Sequence, residues 1–319
     1  MQKALKSFGW KMVSIAACFG LFCAATAMAR GGPRNSAQDE ARKGASTAVP
    51  SISADRAPGL LTTGFQQLYR LDFDAARREF TSYQEARPDD PMGKAAEAAS
   101  YLFQELNTKG VLSSEFFLDD EKFLNGLSGD PRENANPEFI EANRQAREMA
   151  NKLMVANPSD TNALLVLTMT DGMESDYDQL IERKQMPALS LTRQAEDEAH
   201  KLLALDPGAK DAYVALGASH YIIGCLPGYK RAVLWFGGIH GDREKGIKEM
   251  KVAASQGGYL KPFAKILLAL AYRREHQPDR ARVLLAQLAE EFPTNPRFAY
   301  ELSLVEPHNA TSDKPECCR

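Results

Sequence analysis

Five times along this 319-residue chain a small residue is followed four positions later by an apolar or small one, and twelve positions later by Pro or Gly. The sets are Ala76, Phe80, Pro88; Ala146, Ala150, Pro158; Ala195, Ala199, Pro207; Gly246, Met250, Gly258; and Ala281, Leu285, Pro293. Residues four apart share one face of a helix, and Pro or Gly is where a helix stops. Ten residues beyond Pro88, Pro158 and Pro207 stand Ala98, Thr168 and Gly217, each inside another apolar-periodic segment; beyond Gly258 the step is eleven, to Ala269. Segments such as "ARREFTSYQEA" and "AKILLALAYRRE" place apolar residues at spacings of three and four, while strand-like alternation is scarce. The spacing predicts an all-α body of paired helices.

Over roughly Gly59 to Glu306 the chain resembles the tetratricopeptide repeat (TPR) family, whose first helix carries W-x2-L-G-x2-Y and whose second carries A-x3-F followed by Pro. Tyr213, Leu216, Gly217 and His220 stand at the first-helix positions; Leu268, Ala269 and Tyr272 fit the next repeat, and Ala98 with Tyr101 another. Ala76 with Phe80, Ala146, Ala195, Gly246 and Ala281 take the second-helix position. Small residues let two antiparallel helices approach, and an aromatic fills the gap beside them. Gln67 and Asp171 depart from the pattern at the aromatic position. The resemblance implies a right-handed α-solenoid of about five helix pairs, with a groove lined by first helices: Val214, Ala218 and Tyr221, then Phe263, Ile266, Leu270 and Arg273. Tyr221, Phe263 and Arg273 are the groove candidates for contact with a protein or peptide partner.

An unmodified repeat has twelve residues between its two small positions, as from Gly64 to Ala76 and from Ala269 to Ala281. The three middle repeats exceed this by 36, 15 and 17 residues, always between first and second helix. Equivalent loops of a solenoid lie along one edge, so the extra sequence is expected to cluster there. The first insertion contains "SSEFFLDDEKFLNGL", the second "ESDYDQLIERKQMP" and the third "CLPGYKRAVLWFGGIH". Burial as extra core is the expectation for their aromatics; the sharper reading makes Tyr229, Trp235 and Phe236, beside Lys230 and Arg231, a partner- or membrane-contacting patch.

Gly217–Glu275 is also similar to one block of the eukaryotic TPR family that includes the fungal inclusion body clearance protein. There Leu-Pro precedes a hydrophobic stretch, then Gly-x-x-Gly-Asp-Arg-Glu opens a helix; here these are Leu226, Pro227, Gly238, Gly241, Asp242, Arg243 and Glu244. That block implies fold rather than activity.

Residues 1–29 read as a signal peptide: Lys3, Lys6 and Lys11, an apolar run from Met12 to Ala25, then the small pair Ala27 and Ala29. The rival is an uncleaved anchor; cleavage is favoured by the small residues at the end of the run. Export to the periplasm or cell envelope, or secretion, is the expectation. Residues 30–57 read as a linker, 58–306 as the repeat domain and 307–319 as a tail. Without residues 1–29 the chain has 36 basic and 42 acidic residues, a formal charge of −6, which argues against nucleic acid as a partner. Cys225, Cys317 and Cys318 form no disulfide framework, and either one Cys225–tail bridge or free thiols fits them.

No metal or cofactor pattern is present, and the spacing of Asp171, Glu174, Asp176 and Asp178 fits no calcium loop and reads as a solvated acidic loop. His220 reads as a core histidine at the aromatic repeat position. "GDREKG" reads as a helix start, with Asp242 as cap and Gly246 as packing residue. The expected function is therefore a non-catalytic exported scaffold for a protein partner. The alternatives are a peripheral membrane component using Tyr229–Phe236, and more remotely an enzyme using His240, Asp242 and Arg243.

Overall fold

The computed structural model describes residues 57–119, 122, 127, 136–236 and 239–305. The expected signal peptide, most of the linker, Cys317, Cys318 and the tail lie outside the described residues. Among the described residues there are thirteen α-helices and no strand. They are α1 (Ala57–Tyr69), α2 (Phe73–Ala86), α3 (Met92–Thr108), α4 (Ser114–Leu118), α5 (Pro137–Ala156), α6 (Thr161–Leu180) and α7 (Gln185–Leu205). There follow α8 (Tyr213–Cys225), α9 (Gly228–Phe236), α10 (Arg243–Gln256), α11 (Lys261–Arg274), α12 (Pro278–Glu291) and α13 (Pro296–Ser303).

The expected all-α solenoid is present. Five pairs, α1/α2, α3/α5, α6/α7, α8/α10 and α11/α12, stack so that each helix packs on the next, and α13 covers the last pair. Pro88, Pro158, Pro207 and Pro293 each fall two residues beyond the end of a second helix. Polar side chains cap the helix starts: Asp72, Asn136, Asp160 and Asp242 accept from the amides of Ala75, Phe139, Ala163 and Lys245 at 2.8–3.0 Å. The two unmodified repeats share one turn. Leu71 and His276 are left-handed, with φ of 64° and 54°, and the next amides, of Asp72 and Gln277, reach back to the carbonyls of Gln67 and Tyr272.

The small repeat positions Ala76, Ala98, Ala146, Ala195, Ala269 and Ala281 are all buried. A Cβ on Gly64 would meet the Phe80 ring at 2.3 Å, so α1 and α2 touch only because that position is Gly. Leu216 and Tyr272 are core; Tyr101 and Tyr213 are half-buried, Tyr101 lying under the Arg77 guanidinium at 4.8 Å.

The insertions differ from one another. The second is no loop: α6 and α7 simply lengthen to 20 and 21 residues, burying Tyr177, Leu180 and Ile181. The first supplies α4, with Phe116 in the core, and the third supplies α9.

The N- and C-terminal repeats also touch each other. Phe65 stacks on Tyr259 at 5.0 Å, the Tyr69 hydroxyl donates to the Tyr259 carbonyl at 2.9 Å, and Asn295 Nδ2 donates to the Tyr69 carbonyl at 2.8 Å. Arg297 Nε donates to Asn107 Oδ1 at 2.6 Å, and Phe103 meets Phe263 edge-on at 5.4 Å. A repeat stack in which each unit sees only its neighbours has no such contacts; here the first-helix face closes on itself.

Candidate functional site

The first helices build the site. On α6, residues 165, 168, 169, 172, 173 and 176 follow the three-and-four spacing of one helix face, and all of them line a central cavity. Facing them are Val214, Ala218 and Ile222 of α8 and Phe263, Ile266 and Leu270 of α11, with Phe65 and Leu68 of α1 and Leu102 of α3 across the closure. The volume is about 270 Å³, on the order of ten waters at about 30 Å³ each. The lining is overwhelmingly aliphatic and aromatic, so the space suits apolar groups rather than water, which wants about two to four polar partners apiece.

Almost every polar group on that lining is already occupied. Ser175 and Thr192 hydrogen-bond to each other at 2.8 Å and to the Ala188 carbonyl, and Thr168 bonds to the Leu164 carbonyl in its own helix. Asp211 accepts from the Gly258 amide at 2.7 Å, where a Cβ on Gly257 would stand 2.6 Å from the carboxylate, so the Gly-Gly step admits it. Arg273 bonds to Ser114 Oγ and to Glu301 Oε2 at 2.9 Å, while the Ser114 amide donates to Glu301 Oε1 at 2.9 Å. This buried triad ties α11, α13 and the start of α4 together.

Asp176 is the exception. No hydrogen bond or ion pair from a described residue reaches it, and burial alone pushes its carboxyl up to about 7. Its side chain keeps solvent-accessible surface, and it lines the cavity wall.

The groove candidates divide. Phe263 and Arg273 line the cavity, as do Val214, Ala218, Ile266 and Leu270. Tyr221 does not: it is 5% exposed, its hydroxyl donates to Glu275 Oε1 at 3.1 Å, and it packs in the core between α8 and α11. Ile222, the next residue, takes the lining position, a rotation of about 100° around the helix.

The expectation that the third insertion's aromatics are core is overturned. Tyr229, Trp235 and Phe236 on α9 are 71%, 61% and 83% exposed, and Trp235 and Phe236 meet edge-on at 5.3 Å. The acidic run is not a solvated loop either. It lies within α6, where Asp171 is buried against Arg147 at 2.8 Å and Glu174 pairs with the same guanidinium.

His220 is buried, with Nδ1 2.7 Å from Glu249 and Nε2 3.0 Å from the Lys245 ammonium; the Glu249 hydrogen bond raises its pKa. Asp242 caps α10, and its carboxyl is held low by the Lys245 amide. Arg243 Nε donates to the Gly224 carbonyl at 3.0 Å and His240 is exposed beside Trp235. The trio Asp242, Arg243 and His240 thus includes two groups engaged in holding the α8–α10 turn. Among the described residues Cys225 has no disulfide partner, and burial raises its thiol; the expected alternative of a bridge to Cys317 or Cys318 falls outside the described residues. Among the described residues no group of three or more His, Cys, Asp or Glu is placed to hold a metal ion, and no helix is long and apolar enough to cross a membrane.

No protein-family model matches the chain, and no curated protein matches it. Among solved structures it is similar to a thermophilic TPR protein of Thermus thermophilus, at 17% identity over 78% of this chain and 98% of that one, with a TM-score of 0.42. A likeness that loose fixes neither ligand nor activity here.

Proposed function

We propose that the chain is an exported, non-catalytic scaffold, and that a partner protein docks on α9. One observation carries this reading: three large aromatic side chains stand exposed together on a nine-residue helix inserted between the two helices of a repeat. Aromatic residues on one exposed patch are the usual anchors of a protein contact, and the edge of a repeat stack is where insertions commonly build such contacts. The first-helix face is partly consumed by the closure between first and last repeats, which makes it a poorer seat for an extended partner than α9.

The test is crosslinking in the native host from a photoreactive residue at position 232, beside the patch. A specific protein adduct that disappears with Trp235→Ser plus Phe236→Ser is expected. Adducts to no protein, or to the same proteins with and without the aromatics, would overturn the reading.

A second reading is favoured by Lys230 and Arg231 on the same helix: basic residues beside Tyr and Trp suit a membrane surface. Flotation with vesicles containing anionic lipid separates the two, because only surface binding carries the protein upward and only surface binding weakens with Arg231→Glu.

A further inference from the structure

The central cavity combines three features. Its wall is apolar; it runs along the first helices; and one carboxyl, Asp176, stands in it without a partner. Along α6 the stripe from Leu165 to Asp176 spans eleven residues, or about 16 Å at 1.5 Å per residue. Asp176 lies about one turn from the C-terminal end of α6, and Ile222, which is 39% exposed, lies about one turn from that of α8. First helices of a repeat stack point the same way, so both mark the insertion-edge end of the cavity, while Leu165 and Leu68 lie farther in.

We propose that this cavity binds a single-chain amphiphile with a cationic amine head, the tail lying along the Leu165–Met173 stripe and the ammonium at the Asp176 carboxylate. Charge complementarity selects that head. The other acids on the lining, Asp211 and Glu301, already hold backbone amides or a guanidinium, so an incoming ammonium finds one free carboxylate. An anionic head would meet that carboxylate with like charge, and a neutral hydroxyl would leave it short of a counter-charge. The length of the stripe calls for an aliphatic chain rather than a compact ring. This site is separate from α9 and does not depend on the partner proposed there.

The probes are decylamine, decanol and decanoate, each below its micelle or solubility limit, titrated into the full exported chain by calorimetry with melting temperature as a second readout. Decylamine is expected to bind at one site, at least tenfold more tightly than decanol or decanoate. Asp176→Asn should remove that preference, bringing decylamine to the level of decanol, while far-ultraviolet circular dichroism stays unchanged. Met169→Trp, which fills the wall without touching the carboxyl, should abolish binding of all three. Trp235→Ser with Phe236→Ser should leave binding intact, which distinguishes the cavity from adsorption on α9. Equal affinity for the three heads, unchanged decylamine binding by Asp176→Asn, or the absence of one-site binding would each overturn the proposal.

Discussion

Gly217 of α8 and Gly246 of α10 face each other so closely that a Cβ on Gly246 would stand 2.7 Å from the Gly217 carbonyl oxygen and 2.6 Å from the Tyr221 amide nitrogen. Both are backbone atoms and cannot swing aside. Gly246→Ala is therefore expected to push the pair apart and cost about 3 kcal/mol, at the upper end of ordinary overpacking. Gly172, in the middle of α6, provides the contrast: a Cβ there meets nothing within 4 Å. Gly172→Ala should stabilise by about 0.5–1 kcal/mol, through helix propensity alone. Urea midpoints of the two variants moving in opposite directions would confirm that the close approach, not glycine as such, is what α8 and α10 require.

Closure of the first-helix face predicts coupling between chain ends. Asn295 does two jobs: its Oδ1 accepts from the Arg297 amide at 2.9 Å, capping α13, and its Nδ2 donates to the Tyr69 carbonyl. Asn295→Asp keeps the first and replaces the second with a buried carboxylate oxygen facing the Tyr69 carbonyl, at a cost of at least about 1–3 kcal/mol. Amide hydrogen exchange should then quicken in α1 as well as in α13. Acceleration confined to α12 and α13 would mean that the two ends open independently, as in a simple repeat stack.

Much of this architecture is legible in the sequence because it is local. Spacings of four and twelve mark where two neighbouring helices touch and where the second stops, and Asp242 is recognisable as a cap from its position before Gly246. The closure leaves no such trace: Tyr69 meets Tyr259 across 190 residues and Asn295 across 226, a separation to which no periodicity points. Asp176 is hidden for the same reason. In an acidic run it reads as solvated, and only the packing of the first helices places it on the cavity wall. Tyr221 fails differently, since predicting a helix face to within one residue needs the crossing geometry of α8 and α10, set by two glycines whose depth of contact cannot be read from their spacing. The exposure of Trp235 and Phe236 is equally non-local, because two adjacent aromatics in an apolar run would be core wherever another element covered them.

Arg273 is a structural member of the cavity wall. Its guanidinium and Glu301 are both largely buried, with side chains 16% and 11% exposed, and removing one partner strands the other. Arg273→Ala is expected to cost about 3 kcal/mol and to loosen α4 and α13, whereas Arg273→Met with Glu301→Leu should recover most of the loss, since a buried pair contributes little beyond an apolar replacement of similar volume. Thermal or urea unfolding of the single and double variants decides it; a double variant as unstable as the single would mean that the Ser114 contacts, rather than the stranded charge, carry the energy.

The same logic gives Asp176 a signature in pH. Its folded-state pKa, pushed up to about 7 from the ordinary value of 3.8, means that the folded protein binds more protons than the unfolded chain between those limits. Stability from this group is therefore greatest below pH 4 and is lost as pH rises through 7, the loss being complete above it. Because the carboxyl keeps accessible surface on its cavity side, the effect is smaller than the full linkage value. Asp176→Asn removes the titration while leaving Asp171, Glu198 and His220, which also titrate with raised pKa values, common to both proteins. The melting temperature of the variant relative to wild type should thus rise from pH 5 to about pH 7 and level off by pH 8, and a difference that stays flat over the whole window would place the Asp176 carboxyl in water rather than in the cavity. Saturating decylamine should shrink the difference at pH 8, because the bound ammonium supplies the counter-charge whose absence makes the ionised carboxyl costly.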